Sequence, residues 1–121
     1  MPANLVPLNA SPLIRPDWQN NFACLPATLA SLLGCAQQFP ELPPGRLGPA
    51  AQYEAVALIF VDAFGLRFLK HFTENDPIPA LCSMVKHGTL SPLSSQFPST
   101  TAVHVTTINT GLSIAQSGVC E

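Results

Sequence analysis

The chain has 121 residues, enough for one small domain, and combines 47% hydrophobic with only 10% charged residues, a balance that excludes a disordered tail. Its formal net charge is -2, and Arg15, Arg46, Arg67, Lys70 and Lys86 are scattered, so the basic stripe expected of a nucleic-acid scaffold protein is missing. The longest unbroken apolar run, Ala55 to Val61, falls far short of the roughly 20 residues that span a bilayer as a helix.

Residues 1–20 contain Pro2, Pro7, Pro12 and Pro16 with little periodicity and read as an extended arm. A helix follows: Pro26 suits a first turn, Leu25, Leu29, Leu32 and Leu33 share one stripe, and Gly34 supplies a left-handed stop. Leu32-Leu33-Gly34-Cys35 faintly resembles the box before a lipid-modified cysteine, which would anchor the protein through Cys35. Residues 1–14 carry no Lys or Arg, however, whereas a signal peptide opens on positive charge, so a cytoplasmic location is expected. From Gln37 to Gly48 the prolines and glycines deny both helix and ladder, and the stretch reads as a linker.

Ala55 to Val61 is apolar at every position, as in a parallel strand covered on both faces, and Asp62 ends it with a charge. Ala63-Phe64-Gly65 reads as a turn and Leu66 to Phe72 as a short helix. Asp76 is the expected cap of another helix, with Pro77 in its first turn, Ile78, Leu81, Cys82 and Val85 on one face, and Gly88 as its stop. Lys86 and His87 meet the negative end of its dipole, and His71 stands near the end of the preceding helix. Thr89 to Ser94 reads as a second strand, which Pro92 confines to an edge or bulge. Thr100 to Thr110 is open between strand, by propensity, and helix, by the spacing of Thr101, Val105, Ile108 and Leu112. Cys24, Cys35, Cys82 and Cys120 form no C-x-x-C pair; reduced thiols are the default, with two disulfides as the alternative.

Two places carry chemistry. Asp62 puts a carboxylate at the end of the apolar run, and Thr101 puts a hydroxyl at the start of the later segment. In open α/β sheets such groups meet in the crevice beyond the strand ends. On its own, Asp62 would read as a turn cap and Thr101 as an ordinary cap beside Ser99 and Thr100.

Val56 to Gly118 resembles the N-terminal part of the alkaline phosphatase superfamily, in its type I phosphodiesterase and nucleotide pyrophosphatase branch. The resemblance rests on Val61-Asp62-Ala63, on Phe97-Pro98-Ser99-Thr100-Thr101, and on Thr110-Gly111, which selects Thr101 as the nucleophile. It implies an α/β fold, the N-terminal portion of a doubly wound, mostly parallel sheet. Residues 1–53 would form an arm, helix and linker, and residues 54–121 a truncated catalytic domain. It further implies a metal-dependent hydrolase of phosphodiester or nucleotide pyrophosphate bonds acting on small phosphate esters through a phosphothreonine. Two divalent metal ions, with zinc the expected identity, would be held in part by Asp62 and Thr101, and His104 is a candidate donor to the phosphoryl group. The remaining Asp and His ligands would come from the C-terminal remainder of the same enzyme, leaving these residues alone inactive. Ala63 stands where the family usually has Gly, His104 where it has Asn, and Ser117-Gly118 where many members have His-Gly. The rival reading is a non-catalytic module that holds phosphate at the Thr101 segment or docks through the Ile78 to Val85 face.

Overall fold

The computed structural model describes residues 17–36 and 38–120; the expected proline-rich arm lies largely outside the described residues. Among the described residues, five α-helices carry the architecture: α1 (Leu25–Leu32), α2 (Leu66–Glu74), α3 (Pro79–His87), α4 (Thr101–Thr110) and α5 (Ile114–Ser117). A single 3-10 turn, Phe22–Cys24, leads directly into α1 and was not foreseen. Its start is set by Asn21, whose side chain accepts the Ala23 N–H at 2.9 Å. Just before it, Asp17 accepts from the backbone of Gln19 and Asn20 and from the Asn20 side chain. These contacts, the Asn20 amide foremost, hold the Asp17 carboxyl below its ordinary range.

The helices fall into two groups. α1 packs on α4, and the 3-10 turn and α5 also lean on α4; α2 and α3 pair with each other. Apart from His104, the buried side chains of these helices and the 3-10 turn are small, namely Cys24, Ala27, Val103 and Thr107, which lets the elements approach closely. For this reason the leucine stripe expected to be the buried face of α1 is only half covered, and Ala27 takes the central position. The proline-rich stretch is docked on α1. Thr28 Oγ1 donates to the Cys24 carbonyl and accepts from Leu42 N–H, Ser31 donates to Glu41, and Leu42 is buried.

α3 starts later than expected. Asp76 and Ile78 spend their N–H groups on the His71 and Phe72 carbonyls, closing the end of α2, so Ile78 becomes the cap position and Pro79 the first residue. Thr100 to Thr110 resolves as helix. Thr100 caps it through its side chain, and Gly111 ends it at φ 73°, a left-handed conformation that glycine adopts without steric cost.

The two expected strands are not built among the described residues. Residues 55–61 make no backbone hydrogen bond, and Ile59 and Val61 are 80% and 58% exposed. A strand buried on both faces needs neighbours on its edges and cover above and below, and these residues meet neither condition here. Of Thr89 to Ser94, only Ser94 pairs, in an isolated parallel bridge with Asn21. Ser94 N–H donates to the Asn20 carbonyl at 2.7 Å and Phe22 N–H to the Ser94 carbonyl at 2.9 Å. This bridge ties the loop before α4 to the 3-10 turn. No helix of the described residues is long and apolar enough to cross a membrane. Cys24, Cys82 and Cys120 are reduced thiols.

A buried polar joint completes the packing. Gln96 Nε2 donates to Thr107 Oγ1 at 2.6 Å, Thr107 Oγ1 donates to the Leu112 carbonyl at 2.8 Å, and Gln96 Oε1 accepts from Ile114 N–H at 3.0 Å. Replacing Thr107 with Val keeps the shape but strands the Gln96 amide and the Leu112 carbonyl. Thr107→Val is expected to cost roughly 2 kcal/mol or more, read as a lower urea midpoint with an unchanged slope.

Candidate functional site

The site grows from the start of α4. Because Thr100 occupies the cap, Thr101 is the first helical residue and its hydroxyl is left over from capping. That hydroxyl donates to Asp62 Oδ2 at 3.0 Å, across a separation of 39 residues. Asp62 bonds no backbone N–H of the turn after it, and α2 begins at Leu66 with Gly65 as its cap position and no side-chain cap. Both members of the pair are exposed, on the wall of a cavity of about 670 Å³ that is also lined by Phe22, Phe60, Ser95 and His104.

The turn that presents Asp62 has a cost. Ala63 sits at φ 55°, the left-handed region where a Cβ crowds the following carbonyl. On the helix side, the N–H groups of Thr101 and Ala102 have no hydrogen-bond partner, so the positive end of α4 faces the cavity with two donors unspent.

His104 lies in the same cavity wall but is buried, with both ring nitrogens engaged. Nδ1 is 2.7 Å from the Thr100 carbonyl and Nε2 is 3.0 Å from Ser95 Oγ. The Phe22 ring meets it edge-on at 4.5 Å and the Phe60 ring stacks at 6.5 Å. Its N–H thus serves the loop that carries Thr100, rather than standing open to solvent. His71 and His87 occupy last turns of α2 and α3, away from the cavity lining. Ser95 was missed in the sequence, since a lone Ser has no local signature and only the turn of the loop between Ser94 and Thr101 brings it to His104.

As a cation site the cavity is incomplete. Asp62 and Thr101 present an anionic and a neutral oxygen side by side, donors of the right kind for a divalent ion. Among the described residues, however, no group of three or more His, Cys, Asp or Glu side chains converges. The residues present therefore do not by themselves make a metal centre.

A carboxylate and a hydroxyl thus meet at the start of a helix whose first N–H groups are unspent. The family described as Type I phosphodiesterase / nucleotide pyrophosphatase matches residues 56–121, more than half of the chain, and the chain belongs to that family of hydrolases. No curated protein and no solved structure matches it. The matched residues include Asp62, Ser95, Thr101 and His104 of the cavity wall.

Removing the Ala63 Cβ relieves about 1–2 kcal/mol of this strain, partly offset by the larger chain entropy of glycine. Ala63→Gly is expected to raise unfolding stability by about 0.5–1 kcal/mol, checked by paired urea titrations.

Proposed function

We propose that the chain contributes the nucleophile half of a metal-dependent hydrolase of phosphodiester or nucleotide pyrophosphate bonds, in which Thr101 attacks phosphorus. The observation that carries this reading is the 3.0 Å hydrogen bond from Thr101 to Asp62 at the open end of α4. A threonine hydroxyl is a weak nucleophile at neutral pH and needs its proton taken up or its oxyanion stabilised. Asp62 orients that hydroxyl toward the cavity, and the free N–H groups of Thr101 and Ala102 are placed to hold non-bridging phosphoryl oxygens.

In the proposed cycle the Thr101 Oγ–phosphorus bond forms as the bond to the leaving alcohol or phosphate breaks. Water then cleaves the phosphothreonine. Two divalent ions, zinc in this proposal, would supply charge neutralisation of both the attacking and leaving oxygens. Asp62 and Thr101 are the residues here that would touch them. Because two donors do not make a centre, the remaining Asp and His ligands would belong to other parts of the complete protein, which would also complete the α/β sheet around residues 55–61. His104 acts on Thr101 indirectly in this reading, by fastening the Thr100 carbonyl, and is a positioning residue.

Thr101→Ala is expected to lower hydrolysis of a nitrophenyl nucleotide diester by the complete protein roughly a thousandfold or more. Acid quenching of the unaltered protein during turnover of that diester is expected to leave the nucleotidyl group, still esterified to its nucleoside, on Thr101, located by peptide mass mapping. Full activity in Thr101→Ala, or a complete protein that holds no divalent cation, overturns the hydrolase reading in favour of a phosphate-binding module.

A further inference from the structure

The cavity holds a second hydroxyl with a proton acceptor of its own. Ser95 Oγ lies 3.0 Å from His104 Nε2, and the ring's other nitrogen is 2.7 Å from the Thr100 carbonyl. A carbonyl can only accept, so Nδ1 carries the hydrogen; in the neutral ring Nε2 then presents its lone pair to Ser95, and the Ser95 hydroxyl donates to it. Ser99 Oγ, 2.6 Å away, accepts from the Ser95 hydroxyl when that proton is not turned to His104, and becomes the donor in the pair once the Ser95 proton is given to the ring. The Gln96 carbonyl, 3.1 Å from Ser95 Oγ, is the competing acceptor for the same proton, but it has no competing role as a base. The result is an ordered chain from Ser99 to Ser95 to His104 to Thr100, with the base oriented by a third group and the nucleophile exposed.

We propose that Ser95 is a second nucleophile of this cavity, activated by His104 and open to covalent modification by electrophilic phosphoryl compounds. The Ser95 Oγ–phosphorus bond forms as the bond from phosphorus to the leaving group breaks, and the Ser95 proton passes to His104 Nε2. The Ser99 hydroxyl stabilises the negative charge that grows on Ser95 Oγ. Phe22 and Phe60 shield the imidazole on its ring side, and Asp62 is the other titratable residue lining the cavity. The proposal does not rest on Thr101 being a nucleophile, since it uses neither Thr101 nor a cation.

Diisopropyl fluorophosphate tests it, with fluoride as the leaving group and the adduct located by peptide mass mapping of the whole chain. Expected is a single adduct on Ser95, abolished by Ser95→Ala and formed at least tenfold more slowly in His104→Gln. A second arm leaves the buried imidazole in place: the thiol introduced by Ser95→Cys is expected to react with iodoacetamide near pH 6 at least tenfold faster than the exposed Cys120 in the same protein. Overturning results are no adduct, an adduct confined to Thr101 or to other side chains, or a Ser95→Cys thiol no faster than Cys120. An adduct confined to Thr101 would defeat this proposal while leaving the proposed function standing.

Discussion

The geometry of the cavity depends on how the loop between Ser94 and Thr101 is pinned. The Thr101 to Asp62 contact itself joins two exposed groups, and a contact of that kind contributes on the order of 1 kcal/mol or less. It cannot hold α4 in place. The holding is done on either side: the Asn21–Ser94 bridge ties the start of the loop to the 3-10 turn, and Gln96 reaches Thr107 in the middle of α4. His104 then fastens Thr100 from within the helix. Buried polar groups are costly to leave unpaired, so each of these contacts resists opening more strongly than the exposed pair does. The Thr101 hydroxyl is therefore aimed by a frame that does not include it.

That division explains which parts of the molecule could be read from the chain alone. Helix ends are local events, and Gly34 and Gly88 stand at the ends of α1 and α3 as expected, whereas the cap of α4 is Thr100 and not Thr101. For α4, β-branched residues argue for a strand, yet a capped start, a glycine stop and a buried Val103 and Thr107 outweigh propensity. The start of α3 could not be read the same way, because Asp76 competes for two roles and the end of α2 claims its backbone first. The Asp62 and Thr101 pair was legible through motif spacing. Ser95 was not, because its partnership with His104 arises from a loop reversal that leaves no periodicity behind.

The polar part of the site and the apolar run beside it obey different requirements. Asp62 and Thr101 meet through a turn and a helix start, both of which form from nearby residues, and so the pair exists without a sheet. Residues 55–61 have no such local solution. Seven successive apolar residues cannot divide into a wet face and a dry face, and burying a single Ile or Val side chain is worth about 1.5–3 kcal/mol. With Ile59 and Val61 largely exposed and every backbone group of the run unpaired, both terms favour added strands at this position. In the α/β arrangement we propose, the sheet would be completed there, at the segment whose last residue precedes Asp62. Strand pairing would then stiffen the turn that presents the carboxylate, coupling the order of the sheet to the aim of the site.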